Sequence, residues 1–218
     1  MAQRIEQQIL ATGKVRHGRL GVSVQEVDQT MAEAFKLAKP AGALVSDVVK
    51  GSAAERAGLE SGDVVLTANG QTIDRSGNLP AIVGLAQPGD RIALEVWRHG
   101  ARRSLQARLD DAKLGDTAKA DVAGPAAKAG GGRLGLALRP LQPDERQRAG
   151  MTGGLLVEGV SGAAARAGVQ AGDVLLAIDG QPVATLAQAS AAAGRSDKAA
   201  AILVQRGAAK LYLPLRLG

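Results

Sequence analysis

The sequence predicts a mixed α+β fold, mainly β, split into two homologous domains with a linker between them. The first observation behind this is a stretch that occurs twice. Ser52–Gln71 reads Ser-Ala-Ala-Glu-Arg-Ala-Gly-Leu-Glu-Ser-Gly-Asp-Val-Val-Leu-Thr-Ala-Asn-Gly-Gln, and Gly162–Gln181 repeats it without gaps, with about half of the positions identical. A period of more than a hundred residues means two domains, not a solenoid of short units. The second observation is that the repeat holds continuous apolar runs, Val64-Val65-Leu66 and Val174-Leu175-Leu176, which suit strands covered on both faces. The third is that its helical segments are short and marked at both ends. Ser52 and Glu55 make a capping-box pattern, and Gly58 and Gly168 stand where a left-handed residue ends a helix. Gly62-Asp63 and Gly172-Asp173 read as turns into the strands. Asn69-Gly70 and Asp179-Gly180 read as tight turns out of them.

The chain has 218 residues, so each domain has about 90–110, enough for a modest core. Phe35, Trp97 and Tyr212 are the only aromatics, which leaves the cores to Ala, Val, Leu and Ile. Without Cys, neither a disulfide nor a thiolate metal site can form. No apolar run reaches the roughly 18 residues of a membrane-spanning helix. The N-terminus lacks the apolar core of a signal peptide. A net charge of +6 raises the question of nucleic acid. Acids are interspersed among the Lys and Arg, however, and stacking aromatics are missing, which argues against it. The only histidines, His17 and His99, have no catalytic context. There is no G-x-S-x-G, Walker loop or H-E-x-x-H. Gly130, Gly132 and Gly135 match G-x-G-x-x-G, but no strand precedes them and no helix follows.

In chain order, Gln3–Thr12 is predicted as an amphipathic helix stopped by Gly13. Arg19-Leu20-Gly21-Val22 follows and recurs as Arg133-Leu134-Gly135-Leu136, each time before a short strand, Val22–Val24 or Leu136–Leu138. A glycine between apolar residues at a strand start lets successive N–H groups converge into an anion nest. A free C-terminal carboxylate suits such a nest; a glycine bulge at a strand edge is the plainer alternative. Helical spacing covers Thr30–Lys39, closed by Pro40. Gly42–Val48 and Gly153–Glu158 are matching strands. Ser76–Gln87, with Pro80 in its first turn, is a short helix on which Ile82 and Leu85 share a face. Arg91–Arg98 and Arg102–Leu109 pair about His99-Gly100, with His99 read as a solvated turn residue. Residues 111–132, rich in Ala, Gly and Lys, form a linker. In the second half, Pro143 opens a short helix ending near Gly150. Thr185–Ala193 is an Ala-rich helix, and Ala201–Gln205 and Ala209–Leu215 flank Arg206-Gly207.

The Leu-Gly-[Val/Leu] loop, followed by Gly-x-Ala-x-x-Ala-Gly-[Leu/Val]-x-x-Gly-Asp-Val-[Val/Leu]-Leu-x-x-[Asn/Asp]-Gly-Gln, resembles the PDZ domain. The whole chain resembles the tandem PDZ portion of the HtrA/Deg (Do-like) periplasmic serine proteases, and Ile9–Arg16 looks like the end of that family's protease domain. The resemblance implies a helix at 1–13 from the protease tail, a first PDZ domain at 14–110, a flexible linker at 111–132 and a second PDZ domain at 133–218. Each domain would be a small, partly open β-barrel or sandwich with short helices. A ligand C-terminus would add antiparallel to the strand after the carboxylate loop, with a helix on its other side.

Leu20, Gly21 and Val22 then match the loop, and Ser23 and Val24 the ligand strand's neighbour. Arg16 and Arg19 become carboxylate partners, because His17 replaces one basic residue that relatives often carry. Ile82 and Leu85 are assigned to the pocket wall, and Leu134, Gly135 and Leu136 to the second loop. Ala189 and Ala192 are taken to stand where Ile82 and Leu85 stand, so the first domain is expected to bind apolar C-termini more tightly.

The family's catalytic Ser, His and Asp lie in its protease domain. This chain is therefore expected to bind and not to cut, with no catalytic residue, metal or cofactor. The implied partners are C-terminal or unfolded polypeptide segments, the protease domain of the same protein and PDZ–PDZ contacts in an oligomer; nucleic acid and a membrane span are not among them. The implied place is the bacterial periplasm, in protein quality control, with signal peptide and protease domain outside this sequence. A purely assembly element and a stand-alone adaptor are the alternatives.

Overall fold

Backbone pairing builds two six-stranded antiparallel sheets with the same strand order. The computed structural model describes residues 17–111, 134–142, 145–146, 153–196 and 198–217. The expected helix at Gln3–Thr12, Arg16, nearly all of the linker and most of the Pro143–Gly150 helix lie outside these residues.

The first domain contains β1 (Gly18–Arg19), β2 (Val22–Glu26), α1 (Gln29–Ala34), β3 (Ala43–Val48), α2 (Ala53–Arg56), β4 (Val64–Ala68), β5 (Gln71–Thr72), α3 (Asn78–Leu85), β6 (Arg91–Arg98), β7 (Ala101–Arg108) and β8 (Asp110–Asp111). Its sheet runs β2-β3-β4-β6-β7 with β5 attached to β4, while β1 pairs with β8. The second contains β9 (Leu136–Pro140), β10 (Leu155–Val160), α4 (Gly162–Arg166), β11 (Val174–Ile178), β12 (Gln181–Pro182), α5 (Leu186–Arg195), β13 (Ala199–Arg206) and β14 (Ala209–Arg216). Its order is β9-β10-β11-β13-β14, with β12 on β11. Neither sheet closes on itself.

The repeated stretch folds as its signals dictate. Ser52 Oγ accepts the Glu55 N–H at 3.3 Å, while the Glu55 carboxylate accepts from Gly51 N–H at 2.6 Å, one residue further back than a capping box requires. Gly58 and Gly168 take φ of +80° and +82°. Beyond them the N–H groups of Leu59 and Val169 return to Ala54 O and Ala164 O at 3.0 and 3.1 Å, which closes each helix.

The Gly-Asp dipeptides do more than turn the chain. Asp63 and Asp173 are 0% and 2% exposed. The Arg98 guanidinium grips Asp63 through Nε and Nη2 at 2.5 and 2.6 Å, and Arg206 grips Asp173 at 2.7 and 2.6 Å. Nη2 of each arginine also donates to the helix-ending carbonyl of Gly58 or Gly168. These contacts raise both guanidinium pKa values. A bidentate pair is the arrangement that offsets the cost of burying a carboxylate. Each clamp ties the end of a closing strand to the end of a helix.

α1 differs from expectation. It ends at Ala34, well before Pro40, because Lys36 adopts φ +56°. Leu37 N–H then reaches Ala32 O at 2.8 Å and Lys36 N–H reaches Glu33 O at 3.2 Å. This is a Schellman closure with Lys36 where glycine usually stands.

The early stop places Phe35 between the domains. Two aliphatic clusters fill the domain interiors, one around Leu20, Val45, Ile92 and Leu94, the other around Leu136, Leu155, Leu175 and Ile202. A third crosses the boundary: Val27, Met31, Phe35, Leu44 and Val64 of the first domain meet Ala177, Ala201, Leu203 and Tyr212 of the second. Phe35 and Tyr212 meet edge-to-face, with ring centroids 5.5 Å apart at 74°. Trp97 packs against the same cluster and donates Nε1–H to Phe35 O at 2.8 Å. The chain's one Phe, one Trp and one Tyr are thus all spent on the joint, where large rings contribute most buried area per residue.

Polar contacts frame the joint. Gln25 accepts the Tyr212 N–H at 2.7 Å, Lys210 pairs with Asp47 at 2.6 Å, and Arg216 donates to Thr30 Oγ1 at 3.1 Å. His99 is an exposed turn residue, as expected, and its Nδ1 also lies 3.0 Å from Gln181 Nε2 of the second domain.

Candidate functional site

β2 and β9 stand at the ends of their sheets and, among the described residues, have a strand neighbour on one side only. Such an edge offers a row of N–H and C=O groups to an added strand. The loop at the start of each edge decides what can sit there.

Leu20 O accepts from Ala54 N–H at 2.9 Å, and Gly21 O from Val49 N–H at 2.9 Å and the Ser52 hydroxyl at 3.3 Å. In a trans peptide the N–H points opposite to the C=O of the same plane. With both carbonyls drawn inward toward α2, the N–H groups of Gly21 and Val22 turn outward together.

The second domain repeats this. Leu134 O accepts from Ala164 N–H at 3.1 Å and Gly135 O from Ser161 N–H at 2.7 Å, which turns out the N–H groups of Gly135 and Leu136. The loops lie so close to the helix starts that glycine is required. Gly21 and Gly135 have φ +80° and +76°, and a Cβ would stand 2.4 Å from Ser52 Cβ in one and 2.0 Å from Ser161 O in the other. Two adjacent outward N–H groups at the head of an unpaired edge make an anion nest suited to a carboxylate.

Of the predicted site residues, Leu20 and Leu134 are buried at 3% and 5% and anchor their loops from inside. Val22 and Val24 are half-buried against the first core, and Ser23 alternates to the opposite face. Leu136 belongs to the second core. Arg19 lies on β1 opposite Asp110. Asp110 accepts from Ala53 N–H at 2.8 Å and pairs with Arg56 at 2.5 Å, so an acid stands beside the basic flank of the loop. His17 is turned to the end of α3, its Nδ1 lying 2.8 Å from Gly84 O. Arg16 is outside the described residues.

The helix beside each edge is in a different register from the one expected. Ile73 N–H bonds Leu66 O and Val183 N–H bonds Leu176 O, so Ile73 and Val183 are equivalent. Counting on from them, Leu79 matches Ala189, Ile82 matches Ala192 and Val83 matches Ala193. In the second domain Leu136, Leu138, Leu186, Ala189, Ser190 and Ala193 line a groove of about 570 Å³ between β9 and α5. Leu186, 47% exposed, is its largest helix residue and escaped the sequence reading. The corresponding positions of α3 carry Leu79 and Val83, 1% and 7% exposed. The residues that α3 buries are thus Leu79 and Val83; of the pair assigned to the pocket wall, Ile82 is half-buried against the same core and Leu85 stands in solvent at 77% exposure.

Arg139 on β9 is held by Glu145 at 2.6 Å and Glu158 at 2.9 Å, which raise its pKa. No group of metal-ligating side chains occurs among the described residues.

Sequence profiles of the PDZ domain match residues 18–109 and 156–206. The chain is 36% identical over its whole length to a probable periplasmic serine endoprotease, DegP-like, of Halomonas elongata, covering 46% of that protein. It is 38% identical over 86% of its length to a protein of the same description from Hahella chejuensis, covering 40% of it. The chain thus spans about half the length of the curated relatives it matches. The HtrA-type protease AlgW, solved with a decapeptide, is 32% identical with a TM-score of 0.46, over 52% of this chain and 35% of that one.

Proposed function

The chain belongs to the PDZ-domain family, with two copies in tandem and homology along its whole length to DegP-like periplasmic serine endoproteases, and from that premise we infer that it recognises polypeptide C-termini by strand addition. The observation that carries this reading is the twin nest: outward N–H pairs at Gly21/Val22 and Gly135/Leu136, each heading an edge with one strand neighbour. A carboxylate in the nest receives two charge-assisted hydrogen bonds. The ligand backbone continues along β2 or β9, and its alternate side chains face the groove between edge and helix. In this reading the module serves a serine endoprotease of periplasmic quality control, captures extended or unfolded segments and takes part in assembly of the oligomer. The relatives' names support the setting, and among the described residues no helix is long and apolar enough to cross a membrane.

The test uses one fluorescent peptide with an apolar last residue, made with a free or an amidated C-terminus. A charge-assisted pair of hydrogen bonds is worth about 1.5–3 kcal/mol per bond, so amidation is expected to weaken binding by at least about tenfold. Equal affinity of the two forms would remove the carboxylate from the account.

A further inference from the structure

We propose that the β13–β14 hairpin of the second domain is the outer wall of the first domain's ligand edge, and that Lys210 selects the penultimate side chain of a bound C-terminus. The proposal rests on the strand-addition reading given above. A cavity of about 700 Å³ lies along β2, with Ser23, Val24 and Asp47 on one side and Ala209, Lys210 and Leu211 of the other domain across from them. It is polar as well as apolar, and its two walls come from residues almost the whole chain apart.

The wall is fixed and not loosely apposed. Gln25, on β2 itself, uses its side-chain amide as a piece of strand: Oε1 accepts Tyr212 N–H at 2.7 Å and Nε2 donates to Tyr212 O at 3.5 Å. Tyr212 is 2% exposed and packs on Phe35. Lys210 pairs with Asp47 at 2.6 Å, both side chains 34% exposed.

Side chains alternate along an added strand. With the last residue turned toward the first domain's core, the penultimate one turns to the other face. That face carries Ser23 and Gln25 and is covered by the hairpin. The Lys210 ammonium stands there beside Asp47, and with Arg19 on the same cavity two cations face one carboxylate, so the lining favours an acidic penultimate residue over a basic one.

The test uses two decapeptides ending in Val with a free carboxylate, identical except for Glu or Lys at the penultimate position. They are titrated into the full chain labelled with ¹⁵N, and affinity is read at the backbone amides of Ser23 and Val24, so binding at the second domain does not contribute. Partly exposed ion pairs contribute up to about 1 kcal/mol, so a Glu-to-Lys affinity ratio of about 3 is expected at low salt, shrinking in 1 M salt. Lys210→Gln is expected to bring the ratio to about 1, and Lys210→Glu to invert it. The Tyr212 amide, unshifted in both variants, reports that the joint is kept. A ratio that stays the same in all three chains while both peptides bind would overturn the outer wall and leave strand addition standing. Failure of both peptides to shift Ser23 and Val24 would overturn strand addition at the first domain and this proposal with it.

Discussion

Leu79 and Val83 of α3 occupy the places that Ala189 and Ala193 hold on α5, in two copies of one fold. The loops beside them are built alike, bond for bond, and so are the Asp–Arg clamps behind them. What differs is how much of the space between edge and helix the helix itself fills. In the second domain small residues leave a groove of about 570 Å³ with Leu136, Leu138 and Leu186 around it. In the first, Leu79 and Val83 are packed against their own core. In the proposed reading the duplicated part is the means of holding a carboxylate, and the varied part is the means of choosing a side chain. The expectation that the first domain binds apolar C-termini more tightly followed from a helix register three residues off. From the observed register we predict the reverse for bulky ligands.

The largest effect should come from the shared clamp. Arg98→Met leaves the Asp63 carboxylate buried without its guanidinium, and Arg206→Met does the same to Asp173. Removing one partner of a buried pair costs about 3–5 kcal/mol, so chemical denaturation should show a loss of that order in each variant. A loss below about 1 kcal/mol in either would mean that its clamp is not what holds strand to helix.

The joint comes next, and Tyr212 tests it in two directions. Tyr212→Ala empties a buried aromatic site and is expected to cost about 3–5 kcal/mol. The hydroxyl, however, is buried; the nearby Ser61 hydroxyl is committed to Ser46 O at 2.8 Å, which leaves the Tyr212 hydroxyl without a well-formed hydrogen bond among the described residues, and burial pushes its pKa up to about 12 against the opposing pull of Ser61. Tyr212→Phe removes an unsatisfied group whose burial costs about 1–3 kcal/mol. It is expected to leave stability unchanged or raise it by about 1 kcal/mol. A loss above 1 kcal/mol in Tyr212→Phe would show that the hydroxyl has a partner in solution.

The groove comparison is sharpened by transplanting the difference. Peptides ending in Leu or Phe should bind the second domain at least about tenfold more tightly than the first, a difference of about 1.4 kcal/mol. Ala189→Leu should abolish that advantage by filling the groove from within. Undiminished binding of a Phe-ending peptide by Ala189→Leu would place the ligand elsewhere.

The smallest effect concerns a pair of turn residues. Asn69 accepts the Ala93 N–H through Oδ1 at 2.9 Å, and its equivalent Asp179 accepts the Ala201 N–H at 2.7 Å. Burial raises the Asp179 pKa against the opposing help of Ser196, Ala201 and Lys36. Between the unfolded carboxylate value of about 3.9 and the raised folded value, the folded state holds a proton that the unfolded state has released. Stability from this group is thus fully present below the unfolded value and is lost as pH rises through the folded one. Asp179→Asn, which can keep the bond to Ala201, should be more stable than the parent at pH 7, with the advantage fading toward pH 4. A constant difference across that range would show that Asp179 does not titrate between the two states.

Much of the fold was legible because local chemistry and tertiary structure agree. Gly58 and Gly168 could be read as helix ends, and Gly21 and Gly135 as required glycines, since a left-handed residue and a close approach leave few alternatives to glycine. What could not be read depends on distant partners. Asp63 and Asp173 looked like turn residues because nothing local marks the arginines that grip them; only the second appearance of the same Asp and Arg, at similar spacing, hints at a clamp. α1 was drawn too long because Lys36, not Pro40, carries its end. The scarcity of aromatics was read as a feature of the cores, whereas Phe35, Trp97 and Tyr212 mark the joint. The helix register was missed because half of α5 is alanine, whose pattern cannot distinguish one turn from the next, and the groove residue Leu186 was lost with it.

The central claim is that both loops hold a carboxylate with their outward N–H groups. Its most direct measurement is the ¹⁵N–¹H spectrum of the chain titrated with a free-carboxylate peptide ending in Val. The amides of Gly21, Val22, Gly135 and Leu136 should move furthest and downfield, as a charged acceptor deshields them, and the amidated peptide should leave them in place. Shifts of equal size with both peptides, or shifts that spare these four amides, would contradict it.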